Sequence, residues 1–143
     1  MKSFICTTSG AIGAAVAYAF GGWDLSIAAL LLFILIDYVT GLMVAGIFKR
    51  SSKTETGGLQ SNAGIKGLCK KFTMLLFVII SNMLDKQLGS SYVRDLVCIA
   101  FMSNELISIV ENAGIMGVPI PKPITNAIDI LKKKSSEEQK NDN

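Results

Sequence analysis

Four apolar segments, separated by short polar or glycine-containing connections, make up most of the chain. They cover about residues 4–20, 25–47, 72–88 and 93–115. The second segment is the most apolar, and at ~1.5 Å rise per residue it forms a helix ~35 Å long. The hydrocarbon core of a bilayer is ~30 Å thick, so a helix of this length can cross it with some tilt. The pattern predicts an all-α integral membrane protein with four transmembrane helices.

The polar C-terminal region predicts two further parts after a membrane domain of residues 1–117. Prolines at positions 119, 121 and 123 end the fourth helix, because proline cannot continue a helix and disfavours helical geometry before it. Residues 124–134 carry apolar side chains at helical spacing, which predicts a short amphipathic helix within a cytoplasmic part of residues 118–134. Residues 135–143 are almost entirely polar and predict a disordered tail.

The composition agrees with a membrane protein and argues against catalysis. The chain is 50% hydrophobic and only 17% charged, against ~25% charged residues in soluble domains. It has no histidine, the commonest general base at neutral pH and the commonest metal ligand. Its three cysteines form no CxxC pair, so neither a zinc site nor a disulfide framework is indicated. We expect no enzymatic activity, no cofactor and no bound metal.

The first and third segments each allow an alternative. The charged start and apolar middle of residues 4–20 are also typical of a signal peptide, although glycine and alanine dominate here. The third segment is strictly apolar only to about Leu84, so three spans and a re-entrant segment are the alternative to four spans. Small residues in the first helix recur at spacings that favour close helix packing. The predicted packing residues are Gly10, Gly13, Ala14, Ala17 and Gly21.

The connection between the second and third segments, residues 48–71, is strongly basic. Its glycines at positions 57, 58, 64 and 67 argue against a stable helix and predict a loop. It lacks both the spacing of a phosphate-binding loop and the interleaved aromatic residues of a nucleic-acid patch. The predicted cytoplasmic basic loop contains Lys49, Arg50, Lys66, Lys70 and Lys71.

The distribution of positive charge predicts the orientation of the chain. All 14 lysines and arginines except Lys86 and Arg94 fall in segments that the four-span arrangement places on one side. Because basic segments remain in the cytoplasm, both termini are predicted to be cytoplasmic, in a multi-pass protein of the bacterial inner membrane. A three-span arrangement would instead put the basic loop and the basic tail on opposite sides.

Polar residues inside the apolar segments are the candidate functional residues. A carboxylate at the middle of a spanning helix costs at least ~2.5 kcal/mol, so Asp37 must be protonated, paired or in contact with water. The predicted polar stripe comprises Asp37, Thr40 and Gly41 on the second helix, with Asn104, Glu105, Ser108 and Asn112 on the fourth. Three interpretations remain open: hydrogen bonding between helices, a water-exposed lumen in an assembly of several copies, or a proton relay.

The order of these motifs resembles the phage lysis and toxin-secretion holins, including clostridial toxin-export holins. The resemblance covers about residues 30–131. It rests on the motif at residues 37–41, the loop at 61–71, Asp85 near the end of the third segment, the polar run at 104–112 and the exit at 117–121.

The resemblance implies a small membrane protein that accumulates harmlessly and then oligomerises into a lesion. Its partners would be further copies of itself and the lipid bilayer, with an endolysin or a toxin released as cargo without specific binding, and no nucleic acid. We expect Asp37 and Glu105 to be tolerated before assembly by protonation or by pairing with each other. The alternative functions are a small proton-coupled transporter and a non-permeabilising, anti-holin-like regulator.

Overall fold

The computed structural model describes the backbone of residues 2–130 and the side chains of residues 7–130. Over this range all regular secondary structure is helical, which confirms the all-α class. The main helices are α1 (Lys2–Phe20), α2 (Leu25–Met43), α3 (Ser61–Leu88) and α4 (Val93–Ile115). A π-helical turn, Val44–Phe48, continues α2. Residues 122–130 form a further helix, α5, while the end of the predicted 124–134 helix and the 135–143 tail lie outside the described residues.

The start of α3 corrects one expectation. The helix begins at Ser61 rather than near residue 72, so Gly64 and Gly67 are helical and the prediction of a loop over residues 61–71 was wrong. Each glycine costs a helix ~1 kcal/mol relative to alanine. Packing of α3 within the bundle offsets that cost, because the extended helix carries the side chain of Lys71 into buried ion pairs. Local propensity therefore gave the wrong boundary.

Short turns connect the helices at the end of the bundle remote from residues 49–60. Gly21 and Gly22 have φ angles of 83° and 110°, in the region that glycine adopts without a Cβ clash. Asp24 then caps α2, because its carboxylate accepts a hydrogen bond of 3.1 Å from a backbone N–H of the first turn. Gly89 ends α3 in a left-handed conformation. Asp85 accepts hydrogen bonds from the first two backbone N–H groups of α4, at 3.1 and 2.9 Å.

Helices α2, α3 and α4 form the bundle, with α4 packed along both of the others. Its small apolar core consists of Ile27, Leu30, Val78 and Cys98. Helix α1 contacts mainly α3, and residues 7–16 of α1 are exposed on all sides. In α5, Ile128 is buried, whereas Ile124 and Ala127 of the predicted apolar stripe are exposed.

The bundle is polar inside and apolar outside. The buried polar residues are Asp37, Ser81, Asn82, Asp85, Glu105 and Asn112. The outer faces carry large exposed apolar side chains, among them Leu35, Phe77, Ile80 and Ile99. Monomeric soluble proteins bury most such side chains and rarely expose large contiguous apolar patches.

One helix among the described residues is long and apolar enough, by its length and composition, to cross a membrane. It covers Leu25–Phe48, which comprises α2 and the π-helical turn, and has a mean hydropathy of 2.4 with only 22% of its most apolar window buried. A core helix of a soluble protein would be mostly buried. This helix instead presents most of its apolar surface to the surroundings.

A buried ion-pair cluster as the candidate functional site

Three helices bring three charged residues to the same depth in the bundle. Asp37 lies eleven residues before the end of the π-helical turn, Lys71 ten residues after the start of α3, and Glu105 ten residues before the end of α4. Because consecutive helices are antiparallel, all three distances are counted from the same end of the bundle. At ~1.5 Å per residue, each charge lies ~15 Å from that end.

Lys71 joins the two carboxylates. Its Nζ donates a hydrogen bond of 2.6 Å to Oδ2 of Asp37 and a second, very short one to Oε2 of Glu105. Asp37 is only 5% exposed and Glu105 only 3%. A buried charge is expensive unless it is paired and hydrogen-bonded, and here one ammonium group pairs with both acids.

Asn112 completes the coordination of Asp37. Its Nδ2 donates to Oδ1 of Asp37 at 3.2 Å and to the hydroxyl oxygen of Thr40 at 3.1 Å. The Thr40 hydroxyl in turn donates to the carbonyl oxygen of Ile36 at 2.9 Å. Both carboxylate oxygens of Asp37 therefore have a donor, and α2 and α4 are joined by a neutral hydrogen-bond chain as well as by the ion pairs.

All residues of the predicted polar stripe except Asn104 lie in or beside the ion-pair cluster. Gly41 lies beside the cluster, since a Cβ atom there would be 3.8 Å from Nδ2 of Asn112. Ser108 lies at its edge and accepts a hydrogen bond of 3.5 Å from Nζ of Lys53. Asn104 is exposed instead and borders a shallow depression beside Phe77 and Phe101. Its neighbour in sequence, Glu105, points inward, and successive residues on a helix point in directions about 100° apart.

The basic residues that were predicted together have different environments. Lys49 and Arg50 are exposed in the connection, and Lys66 and Lys70 are exposed on α3. Lys71 alone among these five points into the bundle, where its side chain is 12% exposed.

Lys71 was missed as a cluster residue because it was assigned to a loop. One signal could have found it: Lys71, Val78, Asn82 and Asp85 recur at intervals of three, four or seven residues, which is one face of a helix. The expectation that Asp37 and Glu105 pair with each other was wrong, and the alternative that they are protonated stays a prediction. Both pair with Lys71.

A cavity of ~100 Å³ lies beside the cluster, on the side of the connection. The bundle contributes Asp37, Lys71 and Asn112 to its lining, and residues 51–54 of the connection form part of its wall. The hydroxyl of Thr54 is buried there without a hydrogen-bond partner among the described residues. A cavity of this volume with polar lining is large enough to hold several water molecules.

At the opposite end of the bundle, three side chains hold the C-terminus of α1. Asn82 donates to the carbonyl oxygen of residue 19 at 2.8 Å, and Lys86 donates to that of residue 18 at 3.3 Å. Arg94 donates to the carbonyl oxygens of residues 20 and 21, each at 3.2 Å. We call Asn82, Lys86 and Arg94 the α1 clamp. The cationic members also complement the partial negative charge at the end of a helix.

The predicted packing residues of α1 fall into two groups: those at positions 10–14 are exposed, and those near its C-terminus lie beside the clamp. Nothing lies within 4 Å of a Cβ built at Gly10 or Gly13, and Ala14 is exposed. Ala17 is half-buried near the clamp. A Cβ at Gly21 would lie 2.5 Å from the amide oxygen of Asn82, so the clamp requires glycine there.

Arg94 also fixes the turn between α1 and α2. Its guanidinium pairs with Asp24 and, at 2.9 Å, with Asp95. Burial by itself would raise the pKa of the Asp24 carboxyl, but the Ile27 backbone N–H and Arg94 outweigh it and lower that pKa below its usual range. The carboxylate form of Asp24 therefore stabilises both the cap of α2 and the clamp.

An apolar exterior around paired charges is the arrangement of small helical membrane proteins, in which intramembrane ionisable residues face the interior and pair with one another. The chain belongs to the bacteriophage holin family, whose model matches residues 14–133. Holins are proteins of the cytoplasmic membrane and not a family of enzymes. The resemblance inferred from the order of the motifs is confirmed.

The relatives of the chain include uncharacterized bacterial proteins and a probable holin. The chain is 34% identical over 138 residues to an uncharacterized protein of Halalkalibacterium halodurans, covering 92% of this chain and 96% of the relative. It is 39% identical over 128 residues to one of Listeria innocua, covering 89% and 86%. A probable holin of Bacillus phage phi105 is 29% identical over 109 residues, covering 76% and 75%. No solved structure matches the chain.

Proposed function

We propose that this protein is a holin that oligomerises in the cytoplasmic membrane and forms a lesion through which an endolysin or a toxin is released. The observation that carries the proposal is the ion-pair cluster inside an apolar bundle, in a chain of the holin family. Such a bundle can reside in lipid with its charges paired, and it contains polar surfaces that a water-filled lesion requires.

The proposed topology has α1 to α4 each crossing the membrane and both termini in the cytoplasm. Its support is the apolar outer surface of α2, α3 and α4 together with the separation of the basic residues. Lys86 and Arg94 lie at the clamp end, and Lys49, Arg50 and Lys66 lie at the end near the connection. The positive-inside rule makes the second end cytoplasmic. Lys71, although within the span of α3, is paired inside the bundle.

The monomer is too narrow to enclose a hole for a protein, so the lesion requires many copies. In the proposed mechanism, copies associate through the exposed small-residue surface of α1, where close approach of backbones is possible at Gly10 and Gly13. The cluster then opens, and the polar faces of α2 and α4 turn from each other toward water. Before that, Lys71 holds the two faces together, which accounts for harmless accumulation of the protein.

Lysis of bacterial cells tests the proposed function. The chain is expressed from an inducible promoter together with a cytoplasmic endolysin that has no export signal, and culture turbidity is followed. We expect an abrupt fall after a fixed delay, and none when either protein is omitted. Absence of lysis with wild-type chain present in the membrane would refute the proposal and favour a non-permeabilising regulator.

The same culture assay tests the role of the cluster. Asp37→Asn and Glu105→Gln each remove one charge partner of Lys71 while keeping the side-chain shape, so we expect both to change the delay before lysis. Asn104→Asp provides a matched control, because it alters charge at an exposed position on the same helix as Glu105. Lysis by the two cluster variants on the wild-type schedule would show that the cluster does not control opening.

A further inference from the structure

The charges that the three helices contribute to the cluster do not sum to zero. Asp37 and Glu105 contribute two negative charges, and Lys71 contributes one positive charge. The remaining negative charge lies among residues that are 3–5% exposed. An uncompensated charge in such surroundings is strongly destabilising, so a fourth charged group is needed nearby.

Lys53 is that group, an exposed lysine that comes from the connection rather than from a helix. Its Nζ lies 3.5 Å from Oγ of Ser108, one helical turn from Glu105. From this position its charge attracts both Asp37 and Glu105. With Lys53 in place, two negative and two positive charges balance.

The segment that carries Lys53 covers the cavity beside the cluster. Residues 49–60 fold on themselves, with the backbone N–H of Ser51 donating to the carbonyl oxygen of Gly57 at 2.9 Å and that of Gly57 donating to Thr54 at 3.3 Å. Lys49 and Gly57 both have positive φ angles, which closes this turn. The side chain of Leu59 rests on the backbone of Gly46 at the cavity edge.

We propose that residues 49–60 are a removable cap and that Lys53 is the positioning residue that holds it on the cluster. When the cap is in place, the charges balance and residues 51–54 form one wall of the partly open cavity. When Lys53 leaves, one negative charge is unbalanced and bulk water gains wider access to Asp37 and Lys71 through the cavity. Hydration of the cluster from this side is then the first step of its opening, and this last point rests on the proposed function.

Cysteine labelling of the purified protein in detergent tests the cap without reference to lysis. Ala45, which lines the cavity and is 8% exposed, is replaced by cysteine after the three native cysteines are changed to alanine. We expect Lys53→Gln to raise the rate of modification by a charged thiol reagent about tenfold, the effect of losing one hydrogen bond to a charged group. Lys66→Gln removes a charge from an exposed site and leaves the rate unchanged.

A second variant separates charge balance from loss of packing. In Lys53→Gln/Glu105→Gln, the cluster again has no net charge, so we expect the labelling rate to return most of the way to that of the wild-type chain. Equal rates for Lys53→Gln and Lys66→Gln, or an undiminished effect of Lys53→Gln in the Glu105→Gln background, would overturn the proposal. Where Ala45→Cys does not fold, Gly64→Cys reports on the same cavity, because nothing lies within 4 Å of its Cβ.

Lysis timing then connects the cap to the proposed function. We expect Lys53→Gln to shorten the delay before lysis, and Lys66→Gln to keep the wild-type delay. If the wild-type chain causes no lysis, the proposed function fails while the labelling result still stands on its own. If labelling shows an open cap but the delay is unchanged, the link between the cap and lesion formation is refuted.

Discussion

Replacing Lys71 with glutamine tests most directly whether the buried ion pairs stabilise the bundle. At a separation of 2.6 Å and an effective dielectric constant of ~20, the attraction between Lys71 and Asp37 is ~6 kcal/mol before the cost of desolvation is subtracted. Measured losses on breaking a buried pair are ~3–5 kcal/mol, because the remaining charge is left uncompensated. Here two carboxylates lose their shared partner. We therefore expect Lys71→Gln to lower the free energy of unfolding by at least ~3 kcal/mol.

Reversible unfolding in mixed micelles, followed by circular dichroism as the fraction of denaturing detergent rises, measures this loss. Lys70→Gln is the matched control, because Lys70 is the preceding residue, has the same charge and is exposed. We expect its effect to be within ~0.5 kcal/mol of zero. A triple variant, with Asp37→Asn and Glu105→Gln added to Lys71→Gln, should recover much of the loss because no buried charge then remains in the cluster.

Similar stabilities of the Lys71→Gln and Lys70→Gln variants would refute the reasoning. That result would mean that the carboxylates are protonated or hydrated in the folded protein and need no cationic partner. A triple variant as unstable as Lys71→Gln would instead show that the loss comes from packing of the lysine stem rather than from its charge.

Three further predictions concern other parts of the bundle, and thermal or detergent unfolding measures each. Gly21→Ala should lower stability by ~1–2 kcal/mol, because its backbone is left-handed and its Cβ would strike the clamp, whereas Gly13→Ala should not destabilise. Equal effects of Gly21→Ala and Gly13→Ala on stability would contradict the proposed contact between residue 21 and the clamp. Asn112→Ala should cost ~1–3 kcal/mol by removing the Asn112 donor from Oδ1 of Asp37 and from the hydroxyl oxygen of Thr40, and Asn104→Ala should cost almost nothing. Asp24→Asn should lower the unfolding temperature near pH 7 and lower it less near pH 3. The lowered pKa means that the stabilisation by Asp24 is present above its unfolded-state pKa and is lost as the pH falls through the folded one. A constant difference at both pH values would show that the charge of Asp24 is unimportant.

The long apolar runs made α2 and α4 predictable from the sequence. The predicted segment 93–115 coincides with α4, and the predicted start of α2 at Leu25 is the observed one. In both helices apolar residues predominate and recur at helical spacing, a pattern that local rules read well. The start of α3 was not predictable in this way, because the residues around Gly64 have poor helix propensity and form the first turns of a helix whose buried residues lie further along, from Val78 to Asp85.

The acidic half of the cluster could be predicted, and the basic half could not. Asp37 is conspicuous because it interrupts an apolar run, and Glu105 and Asn112 lie on one face of α4 by spacing alone. Lys71 lies among other lysines and differs from Lys70 only in the direction that its side chain takes from the helix. That direction matters only once α3 is known to begin at Ser61 and to bring Lys71 to the depth of Asp37.

The common depth of the three charges has a consequence for voltage sensitivity. Asp37, Lys71 and Glu105 lie about equally far from one end of the bundle, so in the proposed topology the dipoles of their ion pairs lie in the plane of the membrane. An electric field along the membrane normal does almost no work on dipoles at right angles to it. Voltage would act on these charges only if a helix slid along the normal. A slide of one turn, ~5.4 Å of a ~30 Å core, corresponds to ~0.4 kcal/mol per charge at 100 mV. The membrane potential therefore has almost no effect on the closed bundle. It acts on the paired charges only after the helices have begun to move along the membrane normal.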